Sequence, residues 1–511
     1  MLSSEQAFAI AGFKGLDKST PLVRPGLTRS LRNVVVSEGM VKGRGGIDFD
    51  AAFSTAMSEN IVGLLPFLST SLAATMLRIG ATKVEASTDG GAWSDITGTA
   101  LSGTTSDRPQ YAMFRDKLYF VNEGQDVLRS YNGSGNTVVI SVAPWAKSVM
   151  SYYGFVFLLN VSDDGSTFLP RQARYSEDPD NDWTSCEGNE LNFHETTGGI
   201  MTAVPFARQA AVIKTDGVIY LGWIGGDVRF RQELVKGSVG THSPLSAQTA
   251  GEVGAIYLGT DYQLHLITPN EIITVPPRVD EILRSDLHRP LVGNVRSAVI
   301  EAEDLYFLYI PLDSAGNTGR IQLNYATGEF SYSTFPSHAW DAVAPVRWTT
   351  DDPDVIVGAV DTGTYTMDSQ TTKEDETSAS ASTNVSRFYD TDWQQYGNTN
   401  EGRIVQIASK FTGATLEFDA LPYGKAAVSI AVDKKNRFYY RKVYDLRAVK
   451  SGDEYVSVRY DVPAIDAEWF NLRIELFPST VRNPRLRGGW MHFLPDTTKS
   501  DVRRSADDTA G

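Results

Sequence analysis

Between residue 60 and about residue 371 the chain alternates short apolar runs with turns that carry Gly, Asp or Asn, and the pattern recurs seven times at intervals of roughly 40 to 50 residues. The first unit holds the runs 60–68, 74–80 and 83–87 ahead of the turn Asp89-Gly90-Gly91 and Trp93. The third holds 149–159 and 172–176, the sixth 297–300, 305–310, 320–324 and 329–332. The runs are rich in Val, Ile, Tyr and Phe and bounded by turn formers, which is strand punctuation. A helix needs apolar residues three and four apart over ten or more positions. Only 277–291 approaches this, and it reads as a short helix or irregular connector. Asp89-Gly90, Asn132-Gly133, Asp216-Gly217 and Thr327-Gly328 suit tight hairpins, because Gly accepts positive φ and Asp and Asn tolerate it.

Strands at this period predict an all-β fold: a β-propeller of about seven blades over 60–371. A pair of unrelated β-sandwiches is the alternative. Residues 1–59 precede the repeats as an N-terminal segment. Residues 372–386 are polar and low in complexity, and read as a linker. Apolar and polar residues alternate again in 387–495, predicting a C-terminal β-sandwich platform. Residues 496–511 are small and charged, and read as a mobile tail.

Charge changes the picture next. The 511 residues carry 47 basic and 62 acidic side chains, a formal net charge of -15. Residues 385–494 hold 16 basic and 13 acidic side chains, while the 384 before them hold 28 and 45. An acidic body argues against a general nucleic-acid-binding surface. Cys186 is the single cysteine, so no intrachain disulfide forms, which suits folding in a reducing cytoplasm. The start Met1-Leu-Ser-Ser-Glu lacks a signal-peptide pattern, and no apolar run approaches 18 residues, so no membrane insertion is expected.

Candidate chemistry is thin. Val161-Ser162-Asp163-Asp164-Gly165-Ser166-Thr167-Phe168 matches a sialidase Asp-box, with Asp163 as its acid, except at its first residue, and Ser87 to Trp93 is the same pattern shortened by one residue. The box is a folding device, with the Asp accepting turn amides over an aromatic residue. A glycosidase would also need paired carboxylates, or a Tyr nucleophile beside arginines, at the channel mouth. Asp178-Pro-Asp180-Asn181-Asp182 and Asp351-Asp352-Pro-Asp354 space oxygen ligands closely, but neither completes a calcium loop. The histidines 194, 242, 265, 288, 338 and 492 have no metal spacing, Cys186 has no recognisable His partner, and Gly43-Arg44-Gly45-Gly46 opens no helix for a phosphate. No catalytic residue, cofactor or metal is therefore assigned, and the chain is read as a non-enzyme.

Three stretches resemble a known family. Gly12-Phe-Lys-Gly-Leu-Asp, Pro25-Gly26-Leu27, Arg32-Asn33-Val34-Val35-Val36 and Met40-Val-Lys-Gly-Arg44-Gly-Gly resemble the opening of tail proteins from short-tailed bacteriophages (podoviruses). Tyr175-Ser-Glu-Asp-Pro-Asp-Asn-Asp-Trp183 resembles a Ser–Pro–Trp loop of those proteins. Gly237-Ser-Val-Gly-Thr-His-Ser-Pro-Leu-Ser246 with Ile256-Tyr-Leu-Gly-Thr-Asp-Tyr262 resembles a third stretch. The family is the phage tail nozzle, also called the tail tubular or head-stabilisation protein. The resemblance implies a homohexameric ring at the head–tail connector, below the portal and its adaptor ring. Such a ring continues the DNA channel, retains the genome, allows its ejection and carries tail fibres or a needle. It also implies a virion tail location after assembly in the host cytoplasm, with double-stranded DNA passing unbound. Some relatives carry inserted domains that this chain lacks. An acidic lumen would repel phosphate, although acidity also serves solubility. Arg24, Arg29, Arg32, Arg44, Arg482, Arg485 and Arg487 are the candidate contacts to a neighbouring subunit or the adaptor. Arg44, set between glycines, equally suits a structural bond to a carbonyl. The alternative function is a glycan-binding or glycan-cleaving propeller, such as a receptor-binding tail protein.

Overall fold

A computed structural model describes residues 6–495 apart from 11–14, 17–26, 29–30, 38–39, 45, 69–72, 184–188, 227–228, 276–278, 336–337, 350–353, 370–373, 379–380, 385–387, 391–396, 401–402, 420–424, 433–436, 447–454, 467–469 and 478–484. The chain divides into two compact units. One comprises 1–46, 329–333 and 384–511, the other 47–328 and 334–383.

The second unit is a β-propeller. Its innermost strands, one per blade in chain order, are Gly63–Leu68, Gln110–Phe114, Trp145–Tyr152, Ile200–Phe206, Gln248–Ala250, Arg296–Ile300 and Ala342–Val346. Each touches the next, and the seventh touches the first, so the seven sheets seen among the described residues close into a ring. The first five blades are antiparallel four-stranded meanders, the simplest way to join neighbours through short turns. In blade 1, Gly63–Leu68 is followed by Ala74–Ile79, Val84–Thr88 and Ser94–Asp95, and the turn after the third strand places Asp89 and Gly90 at φ 49° and 72°. The connector near 277–291 becomes the one-turn helix Asp280–Ser285 and a short 3-10 segment, Arg289–Asn294.

Apolar faces of adjacent blades make the cores. Blades 3 and 4 bury Phe155, Phe157, Tyr175 and Phe230 together, the rings of Phe157 and Phe230 lying 5.1 Å apart and nearly perpendicular. The last interface, between blades 7 and 1, buries Leu64, Met76, Ala342 and Val357 around Phe53, Met57 and Ile61. Phe53 stacks on Trp93 at 5.2 Å and meets Trp348 edge-on at 5.3 Å. Backbone bonds from Met57 N to Thr362 O (2.8 Å) and Ile61 N to Asp361 O (2.7 Å) complete this seam.

Two boundaries differ from the sequence reading. The segment 1–59 is not one element: residues 1–46 group with 384–511, whereas Ile47, Phe53 and Met57 belong to propeller cores. The strand Gly46–Asp48 joins the sheet of blade 7 beside Gly363–Ser369, which itself pairs with Val355–Val360. The polar stretch 372–386 is not a free linker. It supplies strands Glu374–Ser378 and Ala381–Asn384 to the edge of that sheet, with Asp375 opposite Ile47. An edge strand is held by backbone hydrogen bonds, which need no apolar side chains. Residues 496–511 lie outside the described residues.

The first unit is a β-sandwich. One sheet joins Gln6–Ile10, Val34–Ser37 and Met40–Gly43 to Arg403–Asp419, Tyr455–Asp466 and Arg485–Pro495. The other contains Leu31–Arg32, Phe388–Asp390, Phe470–Phe477, Lys425–Val432 and Tyr439–Asp445. Val456, Val458 and Tyr460 are buried while Tyr455, Ser457 and Arg459 between them are exposed, the period of two that a half-covered sheet requires.

Truncating the closing aromatic tests the ring. Phe53→Ala should lower unfolding free energy by about 3–5 kcal/mol in urea denaturation, whereas Leu169→Ala, at an exposed strand position, should change it by less than about 0.5 kcal/mol.

Candidate functional site

The innermost strands are sheet ends, so each leaves one backbone edge without a strand partner. Side chains of adjacent blades bond part of that edge. Gln248 Nε2 donates to Ser297 O (3.3 Å), Thr249 Oγ1 to Pro205 O (2.8 Å) and Ser297 Oγ to Leu245 O (2.7 Å). Gln110 Oε1 accepts from Ser148 Oγ at 2.8 Å and Thr202 Oγ1 at 3.0 Å, so one amide ties blades 2, 3 and 4.

Inside the ring lies a cavity of about 390 Å³ lined by all seven innermost strands, with apolar walls at Val62, Leu65, Ala112, Val149 and Val204. Its polar lining includes Gln110, Tyr111, Gln248, Thr249 and Ser297, and among the described residues Arg296 is the one charged residue of the lining. Surrounding protein pushes the Tyr111 hydroxyl up to about 12. Among the described residues no Asp or Glu lines the cavity, so the paired carboxylates of a glycosidase are not assembled there from them. A second cavity, about 550 Å³, opens towards the C-terminal ends of the innermost strands at Leu68, Met113, Val299 and Val346. Its charged groups are Glu301, Arg347 and Asp354, with Arg347 Nε bonded to Asp354 Oδ1 at 2.7 Å.

The candidate contact arginines fall into different settings. Arg24, Arg29 and Arg482 lie outside the described residues. Arg32 ends the strand Leu31–Arg32. Arg44 is 1% exposed; its Nε donates to Asn33 Oδ1 (3.3 Å) and its amide to Asn33 O (3.1 Å). It is therefore a buried structural group and not a surface contact, and the side-chain acceptor is an amide oxygen. Arg485 and Arg487 converge on Asp419, which is 3% exposed, at 3.7 and 2.7 Å. A buried carboxylate is costly unless paired, and this explains two arginines on alternate residues of one strand.

Described residues of each of the three family-like stretches form structural locks. Asn33, at φ 51°, and Arg44 clasp the two ends of the hairpin Val34–Ser37/Met40–Gly43. In the second stretch Ser176 Oγ donates to Asp182 O (2.7 Å), and Trp183 Nε1 donates to Pro179 O (2.7 Å) while its ring is buried against blades 2 and 3. In the third, Thr241 Oγ1 donates to Leu258 O (2.7 Å), Leu258 N to Ser246 Oγ (3.1 Å) and Tyr257 OH to Val239 O (2.7 Å). A Cβ on Gly240 would sit 2.3 Å from Lys214 O, so only glycine fits.

The Asp-box turn is real but shifted by one residue. Asp164, not Asp163, accepts from Ser162 Oγ and from the amides of Ser166 and Thr167. Those amides, Thr167 first, hold its carboxyl well below the usual range. Asp163 pairs instead with Arg174, at 2.5 Å. In the shortened version, Ser87 Oγ donates to Gly91 O (2.6 Å) and Trp93 Nε1 to Phe53 O (2.6 Å). Asp180 bonds Lys117 Nζ (2.5 Å) and Tyr119 OH (3.1 Å), and Asp178 accepts from Asn181. His265 bonds Asp261 at 3.0 Å and stacks on Tyr257. Among the described residues no group of three or more His, Cys, Asp or Glu gathers for a metal ion, and no helix is long and apolar enough to cross a membrane. Cys186 and Asp351-Asp352 lie outside the described residues.

Sequence reasoning did not single out Arg296. A lone arginine opening a short strand gives no signal until the ring places it on the channel.

No protein-family model and no curated protein matches the chain. Among solved structures it is similar to apo AztD from Citrobacter koseri, at 15% identity over 58% of this chain and 80% of that one, with a TM-score of 0.35. A second structure of C. koseri AztD shares 14% identity over 63% and 87%, at 0.35. PorZ, a bacterial surface component of the type-IX secretion system of Porphyromonas gingivalis, shares 8% identity over 80% of this chain and 46% of that chain, at 0.38. No functional inference is carried by likenesses of this degree.

Two substitutions check the structural roles. Gly240→Ala should cost about 1–3 kcal/mol in chemical denaturation, because backbone must shift to admit the methyl group. Asp419→Ala should cost about 1–3 kcal/mol, since the two half-exposed arginines lose the group that anchors them; unchanged stability would return Arg485 and Arg487 to the surface-contact reading.

Proposed function

We propose that the chain is the ring-forming subunit of a phage tail nozzle, a structural virion protein that continues the DNA channel below the portal and adaptor. The observation that carries this reading is the third stretch. Gly240, Thr241, Ser246 and Tyr257, quoted above for their likeness to the family, form one interlocked network. A pattern rooted in packing is the kind that persists in a structural protein.

The size of the channel constrains the mechanism. The cavity inside one ring, about 390 Å³, has the volume of a small-ligand site. This reading therefore does not route the genome through one propeller. In this reading the conduit is the lumen enclosed by several copies. The acidic excess of the first 384 residues would then keep phosphate from adhering during ejection.

A glycan-binding propeller is the second reading. It is favoured by the exposed Tyr153, stacked at 4.9 Å on Trp223, beside Phe155, Arg229 and the Glu177 carboxylate that Arg229 holds at 3.1 Å. Aromatic faces flanked by a carboxylate suit a sugar ring.

Light scattering and negative-stain imaging of the full chain, alone and with its adaptor ring, separate the two. Six-membered rings with an open lumen and no retention on immobilised glycans are expected. A monomer under both conditions that binds glycans, and loses them in Trp223→Ala, would overturn the nozzle assignment.

A further inference from the structure

Arg296 is the anomaly of the propeller. It opens the innermost strand of blade 6 and is 7% exposed, yet it lines the cavity. Its Nε donates to Asp341 O at 2.7 Å, and its Nη1 makes long contacts of 3.4 Å to Gly293 O and Val295 O. All three acceptors are neutral carbonyls. No carboxylate pairs with it among the described residues, and Nη2 donates no hydrogen bond. Two other buried arginines of the ring are treated differently: Arg78 pairs with Glu85 at 2.5 Å and Arg129 with Asp126 at 3.4 Å. A buried guanidinium without a counter-ion is expensive, so its persistence on a cavity wall points to a ligand that supplies the charge.

The neighbouring charges do not supply it. Arg108 repels Arg296 and is itself engaged with Glu123 at 3.3 Å. Asp341 and Glu123 act on it only from beyond pairing distance, and burial pushes both of their carboxyls up. Burial, with Arg108 adding to it, pushes the Arg296 guanidinium down to about 10, so it remains a cation at neutral pH.

We propose that the propeller channel binds a small monocarboxylate with an apolar body, its carboxylate on Arg296 and its body against Val62, Leu65, Val149 and Val204. The volume of about 390 Å³ falls in the range of small-ligand sites, roughly 300–1,000 Å³. The planar fork of arginine matches a carboxylate. One guanidinium neutralises one charge, so a phosphate dianion would be left half-compensated in a cavity whose other polar lining groups are neutral. Gln248 and Thr249 add polar groups on the same wall. The inference does not depend on the nozzle reading, because it concerns the inside of one propeller.

Calorimetric titration of the full-length protein with hexanoate, hexanamide and inorganic phosphate tests it. Hexanoate should bind saturably at one site per chain, hexanamide about tenfold or more weaker, and phosphate not measurably. Arg296→Gln should weaken hexanoate about tenfold. Val343→Trp, which fills the cavity from the innermost strand of blade 7, should abolish binding with an unchanged far-ultraviolet circular dichroism spectrum. The proposal fails if hexanoate shows no saturation up to roughly 10 mM. It also fails if hexanamide or phosphate binds as well as hexanoate, or if folded Val343→Trp binds it like the parent. The amide comparison on the parent protein stands even where Arg296→Gln does not fold.

Discussion

Thr364 Oγ1 donates to Phe53 O at 2.8 Å across 311 residues of sequence, and Arg78 Nη1 donates to Thr55 O at 2.7 Å in the same seam. Together with the Met57–Thr362 and Ile61–Asp361 backbone bonds, they sew the segment before blade 1 to blade 7. Every other blade interface joins sheets adjacent in the chain, so its loop-closure cost is small. This one closes the whole ring and bears the largest entropy cost. The aromatic cluster of Phe53, Trp93 and Trp348 and the cation–π contact of Arg78 over Trp93 at 4.2 Å concentrate contact there. Without that seam blades 1 and 7 would each expose an apolar face, and the innermost strands would lose the mutual contact that shapes the channel.

Closure also explains the polar chemistry of the ring. Seven strand edges converge on one axis, where no further strand can pair with them. Serine, threonine and glutamine side chains bond them because those groups reach across to the next blade without adding charge. Arginine is the exception at Arg296, and it is the exception that gives the cavity an electrostatic identity. Its three carbonyl contacts fix the guanidinium in place but leave its charge uncompensated, which separates positioning from neutralisation.

Much of the propeller was legible in the chain because blades are local. Each strand pairs with its sequence neighbour, so the alternation of apolar runs and turn residues encodes the meander directly. Asp89-Gly90 shows this: the turn predicted from two residues has the positive φ values that prediction needs. Long-range assignments were not legible. The polar run 374–384 carries no apolar period, and its strand character comes from pairing in blade 7, whose Gly46–Asp48 strand lies more than 320 residues earlier. Arg44 was ambiguous between a surface contact and an internal bond because its partner, Asn33, is defined only once the hairpin folds. Asp163 and Asp164 are adjacent acids with opposite duties, and only the direction of the turn assigns the amides to Asp164 and the arginine to Asp163. Arg296 had no pattern at all, since burial and missing counter-charge are properties of a closed ring.

The size of the channel separates two scales at which this chain could act. A cavity of about 390 Å³ has the volume of a small-ligand site, and in the nozzle proposal passage of DNA belongs to a lumen that one chain does not enclose. The charge distribution follows the same division. Acidity is spread over the first 384 residues, where a wall built from copies would use it, while the cavity wall carries a single positive charge. A surface that must not bind a polyanion gains from being acidic. An interior site that holds a small anion gains from one desolvated cation, whose field is strengthened by the low dielectric around it. In the nozzle proposal the two requirements are opposite in sign, and the one positive charge of the cavity lining would sit inside the ring.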